Sequence, residues 1–132
     1  MLSYFVPDLE SEFATRERCH IVELLNTPEF AELSVARCRV APGITTELHS
    51  LKDTDEVYVV LNGSGLMADG SHPGRLIKAM DCVHIPANHP QKVTNTGSTD
   101  LIFLAICSGR FKPDCYVPHE QPEVAEPADG AT

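Results

Sequence analysis

Residues 47–63 read ELHSLKDTDEVYVVLNG, and the alternation within this stretch decides the fold. In an extended strand, every second side chain lies on the same face. We interpret 45–51 and 56–62 as two strands joined by the turn KDTD, with Leu51 opposite Glu56. One face then carries a mainly polar set, which is the candidate lining of a pocket: Glu47, His49, Leu51, Glu56, Tyr58 and Val60.

The opposite face of these two strands is apolar, carrying Leu48, Val57, Val59 and Leu61. Apolar surface is stabilised when it is removed from water. In a small barrel the cover is either an added N-terminal strand layer or a second subunit. We therefore expect a homodimer.

The rest of the chain repeats the rhythm of short apolar runs between turn signals such as NTPE, APG, NGSG and PANHP. Regular spacing of this kind is typical of an all-β sandwich or barrel. The predicted strands are 18–25, 32–40, 45–51, 56–62, 64–68, 74–78, 82–86, 90–95 and 100–107. The only helical turn that we predict lies within residues 7–16.

Length and composition indicate a single domain, because 132 residues suit one hydrophobic core. We divide the chain into an N-terminal segment (1–17), a barrel (18–112) and an acidic, proline-rich C-terminal tail (113–132). The tail has few large apolar side chains to offset its ordering entropy. We predict disorder over 120–132, with Phe111 and Tyr116 holding the start of the tail against the barrel.

The charge balance argues against two classes of partner. The net charge is −9 and no basic patch stands out, so nucleic acid and anionic membranes are poor partners. No apolar run approaches the roughly 20 residues that span a bilayer, and the N-terminus lacks the pattern of a secretory signal. The five cysteines, an odd number without a CxxC spacing, indicate free thiols and a cytoplasmic protein.

A second informative stretch, MDCVHIPANHPQKVTNTG, covers residues 80–97. Pro86, Ala87 and Asn88 form a tight turn in this interpretation, with Asn88 in the left-handed conformation. After the turn, Gln91 and Asn95 share one strand face with Val93.

Together the two stretches resemble the cupin superfamily. Its first motif matches Gly43, His49, Glu56 and Gly63, with Leu51 at the position of a second histidine. Its second motif matches Pro86 and Asn95, while Met80, Asn88 and Gln91 replace two glycines and a histidine. The likeness extends over about residues 35–107 and is greatest to small single-domain cupins (cupin 2 conserved barrel), often labelled mannose-6-phosphate isomerase-like. It implies a double-stranded β-helix, or jelly-roll barrel, with a pocket at one mouth.

The resemblance also implies where a metal ion would lie. Mapped by position, the ligands are His49, Glu56 and Gln91. Leu51 cannot coordinate an ion, and Gln91 offers only a neutral carbonyl oxygen. One nitrogen and two oxygens form a weak, hard donor set that suits Mn(II), Fe(II) or Mg(II) better than zinc. The alternative is that the three side chains only hydrogen-bond to one another, as buried polar groups require.

Other charged residues leave two questions open. His89 shares the parity of Gln91 and can swing toward the pocket, whereas we expect His84 on the outer face. Arg37 and Arg39 share a face of the strand before APG. If that face is inward, the pocket favours a carboxylate or phosphate ligand; otherwise the arginines lie in solvent.

The leading functional hypothesis is a cupin that binds a small polar metabolite, with an incomplete His/Glu/Gln metal centre. The first alternative is a divalent-metal-dependent isomerase, lyase or oxygenase, in which Glu56 or Tyr58 moves a proton as the catalytic group. The second alternative is a regulatory or interaction module whose pocket is vestigial.

Overall fold

The computed structural model describes residues 1–120, and their regular structure is almost entirely β-strand. The strands are β1 (Phe13–Ala14), β2 (His20–Leu25), β3 (Leu33–Val40), β4 (His49–Leu51), β5 (Asp55–Asn62), β6 (Ser64–Ala68), β7 (Arg75–Lys78), β8 (Cys82–Ile85), β9 (Lys92–Asn95), β10 (Leu101–Ser108) and β11 (Tyr116–Pro118). Short 3₁₀ turns lie at Leu9–Ser11, Pro28–Phe30 and Pro113–Cys115. Every predicted strand overlaps an observed one, and the all-β prediction is confirmed. The two strands that were not predicted are β1 and β11.

The strands form an antiparallel double-stranded β-helix, which confirms the predicted jelly-roll barrel. One wall is a six-stranded sheet in the order β1-β2-β3-β10-β5-β8. Facing it are a three-stranded sheet, β7-β6-β9, and the pair β11-β4. The central strand of the large sheet, β10, pairs with β3 on one side and with β5 on the other.

The core lies between the walls because strand residues alternate between inside and outside. On β10, Leu101 and Phe103 are 0% and 2% exposed, whereas Ile102 and Leu104 lie on the outer face and are only half-buried. Tyr58 packs on Phe103 with ring centroids 4.3 Å apart. This apolar interior fixes which side chains of each strand face the cavity.

Two residues of the cupin motifs have structural roles. Gly63, between β5 and β6, adopts φ 86°, and a Cβ there would lie 2.7 Å from the carbonyl oxygen of Asp100. Glycine is therefore needed to end the strand at this point. Asn95 is buried, and its side-chain amide donates to the carbonyl oxygens of Val40 and Thr99.

The predicted hairpin of β4 with β5 is wrong. β4 pairs with β11, and an isolated bridge joins His49 to Gln91, whereas β5 lies between β10 and β8. The turn after Leu51 includes Asp53 at φ 54° and carries the chain from one wall to the other. The predicted polar face is nevertheless inward, because the parity of a strand does not depend on its partner.

The predicted C-terminal tail begins as part of the barrel. Tyr116–Pro118 form β11 on β4, and the Glu120 carboxylate accepts the Leu48 N–H at 2.9 Å. Glu120 also forms an ion pair with Arg18 at 2.9 Å. The disorder predicted for 120–132 does not extend to Glu120, and the remainder of that range lies outside the described residues.

Two further expectations concern the chain as a whole. All five cysteines are free, as predicted. Within residues 1–120, the structure contains no helix of the length and apolar character needed to cross a membrane.

The homodimer stays a prediction. Of the residues that motivate it, Val57 and Val59 lie on the outer face of the large sheet, where Leu104 and Ile106 extend the apolar strip. Leu48 is not part of this face, because it directly precedes β4 in the opposite wall. Leu2 and Tyr4 in the N-terminal segment are 75% and 80% exposed. We expect light scattering to give twice the chain mass of 14.4 kDa, and Leu104→Lys to shift the protein toward monomer. A wild-type protein that is monomeric at micromolar concentration would contradict this prediction.

Candidate functional site

Four polar side chains from separate parts of the chain meet inside the barrel. His49 comes from β4, Glu56 and Tyr58 from β5, and Gln91 from the turn before β9. None of the four is more than 6% exposed. The three residues predicted as metal ligands, and the two predicted as catalytic groups, are therefore neighbours in the structure.

The Gln91 amide is the centre of this cluster. Its nitrogen lies 2.9 Å from Nε2 of His49, 2.8 Å from the Tyr58 hydroxyl and 3.4 Å from Oε1 of Glu56. Nδ1 of His49 lies 2.8 Å from the backbone carbonyl oxygen of Glu47, so Nδ1 carries the proton that is donated there. Nε2 of His49 is then the acceptor, and its lone pair receives an N–H from Gln91.

A cavity of about 300 Å³ lies on one side of this cluster. His49, Glu56 and Tyr58 form part of its wall. Most of the remaining wall is apolar, with Phe13, Ile21, Ala36, Leu51, Ala105 and Phe111 among the lining residues. A concave, largely apolar site with a few convergent polar groups is typical of a small-molecule pocket.

Gln91 borders a second cavity of about 240 Å³, which His89 and Ile85 also line. The amide oxygen of Gln91 is buried and has no hydrogen-bond partner among residues 1–120. Gln91 thus lies in the layer between the two cavities, with its N–H groups toward His49 and Tyr58.

Two acidic side chains in the large cavity hold protons more tightly than ordinary carboxyls. Burial is the main cause that raises the pKa of Glu56 to about 8, and the negative charge of Glu17 adds to it. Burial also raises the pKa of Glu17 to about 7, with a further contribution from the negative charge of Glu47. At neutral pH, therefore, Glu56 is mainly a neutral acid and Glu17 is near its midpoint.

A third acid, Glu47, orients the histidine. Its carboxylate forms an ion pair with Arg16 at 3.1 Å and accepts a hydrogen bond from the Tyr116 hydroxyl at 2.6 Å. The Tyr116 ring stacks on His49, with centroids 4.7 Å apart and planes inclined by 16°. Burial lowers the pKa of His49, which keeps the imidazole neutral.

The donor set does not fit a tightly bound metal ion. A metal needs the lone pair of His49 Nε2, and the Gln91 amide already donates a hydrogen bond to it. The amide oxygen of Gln91 is the atom of that side chain that can coordinate a metal ion, and it is the amide nitrogen, not this oxygen, that is directed at His49. Among residues 1–120, no group of three or more histidine, cysteine, aspartate or glutamate side chains is arranged to hold a metal ion.

The two side chains predicted to be catalytic are both protonated at neutral pH. Tyr58 is 5% exposed, and burial raises the pKa of its hydroxyl well above the ordinary value. The raised pKa of Glu56 makes this carboxyl a hydrogen-bond donor rather than a base near pH 7. Their catalytic role stays a prediction.

The structure gives clear positions for the other charged residues considered in the sequence analysis. His89 lies 3.2 Å from Asp69 and borders the second cavity, and His84 lies on the outer face 3.3 Å from Asp55. Arg39 pairs with Glu12 at 2.6 Å outside the barrel. On β3 the large cavity is lined mainly by the alternate set, which includes Ser34, Ala36 and Cys38.

Sequence reasoning missed Glu17 and the stacking role of Tyr116. Glu17 lies in a turn before β2, where no strand period indicates which way a side chain points. Its contact with the site, 3.5 Å from Nδ1 of His49, joins residues far apart in the chain. The sequence places Glu47 on the inward face correctly, because it shares the parity of His49.

Comparisons with known proteins agree with the fold. A family model described as auxin binding protein matches residues 22–121. Auxin-binding protein 1 of Arabidopsis thaliana is 37% identical over 92 residues, which are 60% of this chain and 46% of that protein. An uncharacterized protein of Methanocaldococcus jannaschii, MJ1618, is 32% identical over 118 residues, which are 86% of this chain and 87% of that protein.

Among solved structures, Bacillus subtilis oxalate decarboxylase is similar with a TM-score of 0.69 and 25% identity. The match covers 83% of this chain and 30% of that larger chain, whose structure was determined in a study of its Mn(II) centres. The chain thus spans about half of the plant protein and about a third of the bacterial enzyme that it matches.

Proposed function

We propose, from the premise that this chain belongs to the auxin-binding-protein family of cupin barrels, that it binds a small organic molecule in the large cavity without a metal ion. The ligand-binding part rests on the cavity of about 300 Å³ and its mixed lining. This volume suits a compact metabolite of the size of one or two rings.

The observation that carries the metal-free part is the hydrogen bond from the Gln91 amide to Nε2 of His49, at 2.9 Å. A histidine at position 91 would offer a metal ion a second imidazole nitrogen beside that of His49. The glutamine present here instead donates a hydrogen bond to the lone pair of His49 Nε2, which is then not available to a metal ion. We therefore interpret the cluster that resembles a metal centre in sequence as a hydrogen-bond network, centred on the Gln91 nitrogen, that holds the cavity wall in shape.

The cavity wall then recognises a ligand through protein groups alone. Glu56 offers a hydrogen-bond donor in its protonated form, and Glu17 offers a donor or an acceptor according to its protonation. The apolar side chains of Phe13, Ile21 and Phe111 remove the body of the ligand from water. Such a site binds and orients a molecule without needing a chemical step.

The test is a thermal-shift screen of a metabolite library, run once with a chelator and once with Mn(II). We expect stabilising ligands whose effect is the same in both conditions. The effect should disappear in Ala36→Leu, which adds a larger side chain to the cavity wall, and persist in Ala31→Leu, which lies on the exposed surface.

Ligands that stabilise the protein only when Mn(II) is present would contradict the proposal. That result would favour the metal-dependent enzyme that the likeness to oxalate decarboxylase suggests. A ligand effect that survives Ala36→Leu would place the binding site elsewhere, as expected for a module with a vestigial pocket.

A further inference from the structure

The ionisable side chains around the large cavity are mostly acids. Glu17, Glu23 and Glu56 line it, and among residues 1–120 Arg16 is the only arginine or lysine in its lining. Arg16 is already paired with the Glu47 carboxylate at 3.1 Å. The Arg16 side chain is also 61% exposed, so it lies mostly in solvent rather than inside the cavity.

One of these acids lacks a strong partner within the protein. Among residues 1–120, the nearest polar contact of the Glu17 carboxyl is Nδ1 of His49 at 3.5 Å. That nitrogen already donates to the carbonyl oxygen of Glu47. The Glu17 side chain is only 15% exposed, and buried carboxyls normally have hydrogen-bond partners. A ligand that donates hydrogen bonds would supply what the protein does not.

We propose, building on the proposed cavity function, that the ligand is an amine with an apolar body, whose ammonium group donates hydrogen bonds to the carboxyl oxygens of Glu17 and Glu56. The ammonium offers three donors and a positive charge to this pair. The apolar body lies against Phe13, Ile21 and Phe111.

A ligand with a carboxylate in place of the amine fits this cavity less well. An anion would enter beside the acidic side chains of Glu17 and Glu56, while Arg16 is paired with Glu47 and lies mostly in solvent. Ionised Glu17 would repel a ligand carboxylate strongly, because the low local dielectric weakens screening.

A matched series of indole compounds tests the charge preference. Tryptamine, tryptophol and indole-3-acetate share one ring and differ in a terminal amine, hydroxyl or carboxylate. By calorimetry at pH 7 we expect tryptamine to bind about 10- to 100-fold more tightly than indole-3-acetate, with tryptophol between them. Glu17→Gln should reduce the preference for tryptamine over tryptophol, and Glu29→Gln, an exposed acid outside the cavity, should leave it unchanged.

Equal or tighter binding of indole-3-acetate would overturn the amine proposal. The cavity function would still stand if that binding were lost in Ala36→Leu. Absence of binding by all three compounds would also overturn the amine proposal in this form, whereas the cavity function is judged separately by the metabolite screen. An amine preference that Glu17→Gln leaves intact would remove Glu17 from the recognition.

Discussion

Replacing Leu51 and Gln91 together by histidine should convert the buried cluster into a metal site. Both changes put an imidazole where the cupin pattern has one, and Leu51 already lines the cavity beside His49. Histidine at position 91 also removes the amide that donates to Nε2 of His49. Three imidazoles and the Glu56 carboxylate would then face one another.

We expect the double variant to bind Co(II) at least about 100-fold more tightly than the wild type, because changes even outside the ligand shell alter metal affinity 10- to 100-fold. The absorption spectrum of Co(II) reports the binding directly. Leu61→His is the matched control, since Leu61 is 46% exposed on β5 and lies outside the lining of the large cavity. Equal affinity of the control and the double variant, or tight binding by the wild type, would show that Gln91 is not what prevents coordination.

Glu56→Gln should make the protein more stable at alkaline pH. Folding raises the pKa of Glu56 from an ordinary 4.5 to about 8, mainly by burial. A carboxyl whose pKa is raised by folding binds its proton more tightly in the folded state. The contribution of Glu56 to the free energy of unfolding is therefore fully present below pH 4.5 and is lost as the pH rises through about 8.

Glutamine has nearly the same shape as protonated glutamate and does not ionise. We therefore expect Glu56→Gln to raise the free energy of unfolding at pH 9 by on the order of 3 kcal/mol relative to the wild type, and to change it little at pH 5. Urea denaturation at the two pH values measures the difference. Glu29→Gln should have no such effect, and an equal change at both pH values in Glu56→Gln would mean that Glu56 does not hold a proton in the folded protein.

The sequence was informative wherever a side-chain period determined burial. The parity of His49 with Glu47, and of Glu56 with Tyr58, placed all four inside the barrel although the predicted pairing of their strands was wrong. Parity is local, whereas pairing depends on which distant strand completes each sheet. The resemblance of the two motifs to the cupin superfamily likewise implied the double-stranded β-helix.

The parts of the site that could not be predicted come from segments without a period. Glu17 lies in a turn, and Tyr116 begins a three-residue strand within a proline-rich stretch that resembled a tail. The direction of the Gln91 amide was also beyond sequence reasoning, since it depends on the tautomer of His49 and on its contact with the Glu47 carbonyl.

The metal content of the purified protein tests the metal-free site most directly. The protein should be expressed in medium supplemented with manganese, iron and zinc, purified without a chelator, and analysed by mass spectrometry of its elements. We expect every transition metal to be far below one equivalent per chain. Close to one equivalent of any of them, lost in Gln91→Ala, would contradict the hydrogen-bonded role of Gln91 and the metal-free cavity.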